Sequence, residues 1–377
     1  MNLDFSEEQR ILRKSAKDFF TRESPELLIR DMREHETGHD VELWGKMAAL
    51  GWLGVIVPEE YGGTGGTFMD LAVILETMGE ACLPGPFLST AVLGANAILL
   101  AGTEDQKKTL LPQISEGRQV FALALSDPGN WYEYENIKTL AKQDGSEYAI
   151  EGVKHFVENA HVADKIICAA QVEDKSGRKR GLTLFLVDAD SPGVEIRPFR
   201  TLAYERHCQV VFHGVRVGEN AVLGTAGNAG PALETLLERA AVAKCVEMLG
   251  AAQVSLDLAV AYAKERVQFG RPIGSFQAVQ HHLANMAVDV DSIRYLTYQA
   301  AWRIFEGLSA GTEAAMAKAF TSEAAARVTR FTHQVHGAIA FCDEHNLHFY
   351  YRKVKASGLA FGDSEYHLEK VARSLGL

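Results

Sequence analysis

One glutamate, Glu247, stands among apolar residues in a long alanine-rich segment, and a carboxylate in such a setting could act as a general base. Its neighbours include Cys245, Val246 and Met248, so a helix through this segment would bury the side chain. An unpaired buried charge is strongly unfavourable. The carboxylate is therefore predicted either to pair with Lys244, three residues earlier, or to serve a function.

A second carboxylate, Glu238, lies in the same segment. It follows Glu234 by one helical turn and precedes Arg239, a setting typical of a solvent-exposed helix face. Glu238 and Glu247 are nine residues apart, which is about 900° around a helix, so their side chains point in opposite directions. A regular helix can therefore turn only one of them toward a given site.

Two histidine pairs have the i, i+3 spacing that a helical metal site can use, His333 with His336 and His345 with His348. The sequence shows no third ligand beside either pair. The glycine-rich run YGGTGG lacks the Lys-Ser/Thr of a phosphate-binding loop and predicts a turn. We therefore expect neither a metal site nor a phosphate loop.

The composition predicts a soluble protein of two or three domains. The 377 residues are 47% apolar and 23% charged, and a typical domain has roughly 100–200 residues. The net charge of −11 argues against a nucleic-acid partner. A membrane span is not expected, because no uncharged apolar run reaches about 18 residues. An N-terminus charged throughout, without a signal peptide, and five scattered cysteines favour reduced thiols and a cytoplasmic location.

The elements that must position these residues change in character along the chain. Residues 1–120 read mainly as helices, with a capping pattern from Ser6 to Gln9 and a terminating glycine at Gly51. Residues 121–228 consist of short alternating runs, which predict an antiparallel sheet or barrel. Residues 229–377 contain long helical segments of four-helix-bundle length. The predicted fold is a multi-domain α+β protein with those three domains.

Five stretches in order along the chain resemble the acyl-CoA dehydrogenase family. They are VPEEYGGTGG, EGVKHFVENAHVAD, VRVGENAVLGTAGNAG, AYAKERVQFGRPIGSFQAVQHHLANM and QVHGAIAF. The resemblance covers nearly the whole chain. It implies an FAD enzyme that desaturates an acyl-CoA at the α,β bond and passes electrons to an electron-transfer flavoprotein. It also implies a homotetramer or an α2β2 heterotetramer.

By the resemblance, the motif ERVQFGRPIGSFQ carries flavin contacts. Arg266 would meet the pyrophosphate, because a guanidinium is planar, permanently charged and rich in donors. Phe269 would pack beside the cofactor, and Gln277 falls in the same segment. Two structural alternatives stay open: Arg266 could pair with helix neighbours of Glu265, and Phe269 could belong to the core.

The resemblance extends the flavin contacts to two further places. Gln334, His336 and Gly337 would reach the FAD of a neighbouring subunit, and the glycine would permit close backbone approach. In the β segment, Ser126 would offer a hydroxyl group and Phe156 an aromatic ring to the flavin. These positions complete the predicted cofactor site.

The family often places its catalytic glutamate just before a glycine near the carboxyl end, and here that residue is Phe361, in SGLAFGDSEYH. Its backbone N–H could still hold the thioester oxygen, since that contact needs no particular side chain. Asp363 and Glu365 are expected to cap or decorate the last helix. The position of the base therefore has to be sought elsewhere.

A second group of relatives carries the glutamate at a position that here is Ala240, two residues from Glu238. Other relatives that act on bulky acyl groups resemble this chain at Glu247. A buried carboxylate suits the task because burial raises its pKa toward that of the α-carbon. We therefore expect Glu247 to be the base, with Glu238 as the runner-up.

Several departures from the family pattern leave other functions open. LSDPGN replaces a Thr-Glu-Pro-Gly run, Ala338 interrupts a Gly-Gly pair, and Glu158 replaces a threonine expected to donate to flavin N5. A carboxylate cannot donate there unless it is protonated, so Glu158 is expected to turn away. The alternatives are a non-catalytic or half-site subunit of a heteromeric acyl-CoA dehydrogenase, or a flavin monooxygenase of the same fold.

Overall fold

The computed structural model describes residues 5–23, 30–130, 136–174 and 176–377, and its elements are numbered here in chain order. The helices are α1 (Glu7–Glu23), α2 (Val41–Ala49), α3 (Phe68–Glu80), α4 (Ala95–Ala101), α5 (Glu104–Ser115), α6 (Gly230–Glu265), α7 (Gln277–Phe305), α8 (Gly311–His336), α9 (Leu347–Leu359) and α10 (Ser364–Ser374). The strands are β1 (Phe121–Ala124), β2 (Leu140–Asp144), β3 (Glu147–Glu158), β4 (Lys165–Glu173), β5 (Lys179–Asp188), β6 (Val194–Phe199), β7 (His207–Gly218), β8 (Val222–Leu223), β9 (Val267–Gln268) and β10 (Arg271–Pro272). This order confirms the predicted succession of helical, β and helical segments.

The chain divides into two compact units. The helical unit consists of Met1–Arg30, Phe68–Leu83 and Glu238–Leu377, and the β unit consists of Asp31–Thr67 and Pro84–Leu237. The domain limits expected from the sequence, after residues 120 and 228, fall in the connections before β1 and before α6. The compact units group the first segment differently, because α1 and α3 belong with the C-terminal helices.

The β unit is built on one large sheet. Its strand order is β6-β7-β3-β2-β4-β5-β8, and β1 pairs with β4. The pairings of β4 with β1 and with β2 are parallel, whereas the other pairings in this sheet are antiparallel. The predicted β domain is thus present as a mixed sheet. Parallel pairing needs a crossover connection, which the intervening strands supply.

The helical unit is centred on α3, which is buried along nearly its whole length. Two glycines let the backbones of α3 and α6 touch. A Cβ atom added to Gly79 would lie 2.1 Å from the carbonyl oxygen of Glu247, and one added to Gly250 would lie 2.1 Å from that of Glu76. This crossing fixes the part of α6 that carries Glu247.

A buried carboxylate ties three helices of this unit together. Glu76 on α3 accepts hydrogen bonds from Arg13 on α1 at 2.8 Å and from Arg294 on α7 at 2.7 Å. The Tyr298 hydroxyl on α7 donates to it at 2.5 Å. The charge is fully buried but paired and hydrogen-bonded, which is the condition under which a buried carboxylate is tolerated.

Several local predictions are confirmed. Ser6 and Gln9 exchange reciprocal hydrogen bonds of 3.2 Å at the start of α1. Gly51 follows α2 with φ +75°, a left-handed conformation that favours glycine. Asp363 accepts a bond from the Tyr366 N–H and caps α10. The five cysteines are free thiols.

One described helix, α6, is long and apolar enough to cross a membrane by length and composition alone. Its most apolar window has a mean hydropathy of 1.3, and 61% of that window is buried inside the protein. The core helix of a bundle meets the same two criteria, and this burial is what such a helix requires.

Candidate active site

Glu247 lies inside the helical unit, on α6, with 5% of its surface exposed. The crossing with α3 at Gly79 sets its backbone, and the apolar residues beside it are also buried. Burial at this position was the expectation from the sequence. What the carboxylate does there depends on the charged groups that face it.

Two ammonium groups face the Glu247 carboxylate. Lys244 Nζ lies 3.0 Å from Oε2, and Lys353 Nζ, on α9, lies 3.7 Å from Oε1. The ion pair with Lys244 that the i, i+3 spacing allowed is therefore present. Among the described residues, Oε2 nonetheless has no hydrogen-bond donor, because the Lys244 contact is close but poorly aligned. A buried carboxylate oxygen with a free lone pair can accept a proton.

Glu238 has a different environment, half-exposed at the start of the last segment of the helical unit. Its Oε1 lies 2.6 Å from where a Cβ atom on Gly311 would be. Gly311 is the first residue of α8, and a negative charge near a helix N-terminus stabilises the helix. At Ala240, where some relatives carry the glutamate, the chain has a fully buried methyl group. The structure thus gives Glu238 a structural task.

Phe361 occupies a short loop between α9 and α10, residues 360–363. Its φ is +57°, which is uncommon for a residue other than glycine, and Gly362 follows with φ +106°. A Cβ atom on Gly362 would lie 2.4 Å from the Tyr366 ring, so only glycine fits there. The loop is locally constrained at the residue where the family often has its base.

The segment of the helical unit that the resemblance assigned to the flavin forms a tight hairpin. β9 and β10 pair antiparallel, and Phe269 (φ +54°) and Gly270 form the turn. The Phe269 ring is 91% exposed, which excludes the alternative that it belongs to the core. Arg266 is exposed as well, and within the described ranges its guanidinium forms no ion pair. Both side chains are accessible to a ligand.

The other expected flavin residues of this unit differ in exposure. Gln277 begins α7 and is exposed, as are Gln334 and Gly337 at the end of α8. A Cβ atom on Gly337 would meet nothing within 4 Å, so the backbone there can be approached closely. His336 is buried instead, stacked on Tyr262 with ring centroids 4.4 Å apart, and burial lowers its pKa.

In the β unit, Ser126 and Phe156 lie near each other in the backbone network. The His155 N–H donates to the Ser126 carbonyl oxygen at 2.8 Å. Phe156 follows with φ +57° and a ring that is 46% exposed and contacts Phe199 edge-to-face at 5.6 Å. One backbone hydrogen bond thus links Ser126 to His155, the residue that precedes Phe156 in β3.

A buried ion pair fixes the residue after Ser126. Asp127 accepts from Lys154 Nζ at 2.6 Å and from the Thr139 hydroxyl at 2.7 Å, and the backbone N–H groups of Lys138 and Thr139 also donate to it. Although burial opposes this shift, the Lys154 ammonium lowers the pKa of Asp127. Lys154 also donates to the Leu125 carbonyl oxygen at 2.8 Å.

Glu158 lies opposite His207 in the register of β3 and β7. Although burial opposes this shift, a hydrogen bond with Glu205 and the charge of Glu158 raise the pKa of His207. The His207 Nδ1 atom is 3.2 Å from the Phe156 carbonyl oxygen. The charge of Glu158 therefore raises the pKa of a histidine that also contacts the Phe156 backbone.

The histidine pairs serve the packing of the helices. His333 and His336 contact carbonyl oxygens one turn back on α8, each at 2.8 Å, and His348 lies near Asp343. In the part of the chain that the structure describes, no group of three or more metal-ligating side chains comes together.

Three buried residues of the helical unit were not predicted from the sequence: Lys353, Lys318 and His367. Each is buried within the helical unit. A signal did exist for the two lysines, because each occupies a helical position aligned with buried residues one turn away, such as Phe349 before Lys353. Their partners are far away in sequence, so periodicity could reveal their burial but not their role.

The exposed residues fit a flavin dinucleotide. Phe269 and Phe156 offer aromatic surface that water solvates poorly, and Arg266 offers donors suited to a pyrophosphate. The open backbone at Gly337 adds a place of close approach. These features lie in both units, and each set is accessible within its own unit.

Three family models match the chain in order. They describe the acyl-CoA dehydrogenase N-terminal domain over residues 6–118, the middle domain over 122–215 and the C-terminal domain over 230–376. A probable acyl-CoA dehydrogenase, YngJ of Bacillus subtilis, is 33% identical with all of each chain covered. The caffeyl-CoA reductase-Etf complex subunit CarC of Acetobacterium woodii is 31% identical over 96% of each chain. The structure of butyryl-CoA dehydrogenase from Megasphaera elsdenii matches with a TM-score of 0.92, 28% identity and full coverage of both chains.

Proposed function

The chain belongs to the acyl-CoA dehydrogenase family, and from this premise we propose that it removes two hydrogens from the α,β bond of an acyl-CoA thioester. It is an oxidoreductase that acts on CH–CH bonds, with FAD as its cofactor. The FAD, when bound, supplies the oxidant that accepts the β-hydrogen as a hydride. The remaining tasks fall to side chains and backbone of this chain.

Those tasks are binding, orientation and proton transfer. Arg266 would hold the pyrophosphate, and Phe269 and Phe156 would pack against the cofactor, supported by Gln277 and Ser126. Gln334, His336 and Gly337 would serve the cofactor of a neighbouring subunit, with His336 acting through its stack on Tyr262 rather than by direct contact. The Phe361 N–H would donate to the thioester oxygen and favour loss of the α-proton.

We choose Glu247 as the base because its Oε2 atom is buried and has no hydrogen-bond donor among the described residues. A base needs a lone pair that is free to take the α-proton. Lys244 and Lys353 balance the negative charge of this carboxylate before the reaction. The Glu238 carboxylate, on α6, instead lies beside the first residue of α8, which is a structural environment.

A screen over acyl-CoA thioesters of differing acyl groups tests the proposed activity. The holoenzyme is mixed anaerobically with each thioester, and the flavin absorbance near 450 nm is followed. We expect one class of acyl group to bleach the flavin, and loss of bleaching with Glu247→Gln but not with Glu238→Gln. A flavin-loaded protein that no acyl-CoA bleaches would contradict the proposal.

A second candidate is a subunit of a heteromeric enzyme with half of the sites. Phe361 and Ala338 depart from the family pattern, and CarC is named as a subunit of a complex with Etf. Purification of the chain alone, followed by measurement of FAD per subunit, separates the two functions. One FAD per subunit supports the dehydrogenase, and FAD that binds only after a second chain is added supports the heteromer.

Electron-transfer flavoprotein is the proposed acceptor, in a homotetramer or an α2β2 heterotetramer in the cytoplasm. The name of CarC, a reductase in an Etf complex, supports this partner and also raises the reverse direction. Oxidation of the reduced flavin by enoyl-CoA measures that direction. The flavin monooxygenase alternative predicts oxygen consumption by the reduced flavin instead, which a dehydrogenase suppresses.

A further inference from the structure

The loop at residues 360–363 is held from the protein interior by one ammonium group. Lys318, on α8, is fully buried, and its Nζ donates to the carbonyl oxygens of Gly358 at 2.9 Å and Gly362 at 2.8 Å. It also contacts the Ser322 hydroxyl at 3.2 Å. The ammonium therefore binds the backbone on both sides of Phe361.

His367 holds the carbonyl group between those two. Its Nε2 donates to the Phe361 carbonyl oxygen at 3.0 Å, and its side chain is buried on α10. Three backbone carbonyl groups of one short segment are thus bound by two buried side chains. A constrained backbone, with Phe361 at φ +57°, persists only where the surroundings determine it this strongly.

The Phe361 N–H is not used in the same way. Of the backbone hydrogen bonds that the described residues form outside regular helices and strands, none uses this N–H. Phe361 as a whole residue is half-buried. The loop therefore has its carbonyl groups fixed and this donor left available.

A purely structural role does not account well for the choice of lysine. The hydrogen-bond acceptors of Lys318 are neutral, and a buried ammonium is more stable beside a carboxylate. Burial lowers the pKa of Lys318 to about 8, and the charge of Lys244 lowers it further while Cys245 and Asp363 oppose this shift. A neutral donor could satisfy these carbonyl oxygens without that penalty, whereas an apolar side chain would leave them without this donor.

We propose that Lys318 and His367 are positioning residues that fix the Phe361 amide as the hydrogen-bond donor to the thioester carbonyl oxygen of the substrate. This inference rests on the proposed function, because it assumes an acyl-CoA ligand. A preorganised donor favours ligands that have the carbonyl oxygen over ligands that lack it, because it needs no reorganisation when the ligand binds. Recognition of that oxygen is therefore the property that should depend on Lys318.

The test compares two ligands that differ in the carbonyl oxygen. Acetyl-CoA has it, S-ethyl-CoA lacks it, and neither can be desaturated at an α,β bond of an acyl group. Calorimetric titration of the holoenzyme gives both dissociation constants. We expect the wild type to bind acetyl-CoA about tenfold more tightly, as one well-placed hydrogen bond allows. Lys318→Met should reduce this preference to about twofold or less.

His367→Gln is a second variant, expected to retain part of the preference, and Lys355→Met is the matched control at an exposed lysine of α9. Lys355→Met should keep the wild-type ratio. The ratio is insensitive to a general loss of stability, since both ligands share the CoA moiety.

The inference is overturned if Lys318→Met keeps the full preference, or if the wild type shows no preference, whether by equal binding or by no binding. Flavin bleaching by acyl-CoA decides the proposed function separately. An enzyme that is bleached by a substrate but shows no preference for acetyl-CoA would refute the role of Lys318 alone.

Discussion

Two fully buried lysines, one in each compact unit, hold loops that the proposed chemistry uses, and they do so with different partners. Lys154 in the β unit contacts a carboxylate, Asp127, at 2.6 Å and one carbonyl oxygen. Lys318 in the helical unit contacts two carbonyl oxygens and a hydroxyl group. The first pair has no net charge, whereas the second site keeps its positive charge without a carboxylate in hydrogen-bonding contact.

This difference in partners predicts that Lys154 contributes to the stability of the fold, whereas Lys318 positions backbone groups. Burial lowers the pKa of both ammonium groups. For Lys154, the charges of Cys168 and Asp127 oppose this shift. Removal of either partner of the Lys154–Asp127 pair should therefore destabilise the protein strongly, because it leaves the other charge buried and unpaired. The Lys318 site should contribute little net stability and act mainly by fixing the direction of backbone groups.

Substitution at Lys154 should have the largest effect. Lys154→Met leaves the Asp127 carboxylate buried without its cation, which should lower the free energy of unfolding by about 3–5 kcal/mol. Urea-induced unfolding measures this loss. The double variant Asp127→Asn/Lys154→Met should recover most of it, because no buried charge remains; a single-variant loss below about 1 kcal/mol would contradict the comparison.

The second effect is a pH dependence from Lys318. Its pKa is about 8 in the folded protein and about 10.4 when unfolded, so the folded state releases its proton first. The stability of the wild type relative to Lys318→Met should therefore rise above pH 8, by up to about 1.4 kcal/mol per pH unit and about 3 kcal/mol in all. Unfolding curves between pH 7 and 9.5 measure this slope, and parallel curves for the two proteins would refute it.

The third effect is acid sensitivity from His367. Burial lowers its pKa from 6.5 to about 4 in the folded protein. Its neutral form therefore stabilises the fold above pH 6.5, and this contribution is lost as the pH falls toward 4, by about 2 kcal/mol after allowance for residual solvent. His367→Gln should flatten this loss in acid unfolding curves, and His281→Gln, at an exposed histidine, should leave it unchanged.

The smallest expected effect is the change in stability of Lys318→Met at pH 7, which should differ most clearly from that of Lys154→Met. At pH 7, Lys318→Met should change the free energy of unfolding by about 1 kcal/mol or less, since the lost hydrogen bonds are offset by removal of a buried charge. Thermal and urea unfolding give this value. A loss as large as that of Lys154→Met would show that the two lysines do the same work.

Much of the fold could be predicted because its signals are local. The Ser6–Gln9 cap, the glycine that ends α2 and the change from 3.6- to 2-residue periodicity near residue 120 depend on neighbouring residues only. The burial of Glu247 and its contact with Lys244 followed from the apolar residues beside it and from i, i+3 spacing. Local spacing thus carried the prediction to the level of single contacts.

The rest depends on contacts between distant segments. Lys353 approaches Glu247 from α9, and Lys318 binds carbonyl groups about 40 residues further along the chain, and periodicity encodes neither contact. The parallel pairing of β1 with β4 and the grouping of α1 and α3 with the C-terminal helices have the same origin. These features arise from tertiary packing.

The most direct test of the central claim is the rate of anaerobic flavin bleaching by the acyl-CoA that bleaches the wild type best. We predict that Glu247→Gln retains as much FAD per subunit as the wild type. Its flavin should bleach about 10²–10⁴-fold more slowly, which is the usual contribution of a general base. Glu238→Gln should bleach at a rate close to that of the wild type. Bleaching of Glu247→Gln at the wild-type rate would contradict the account.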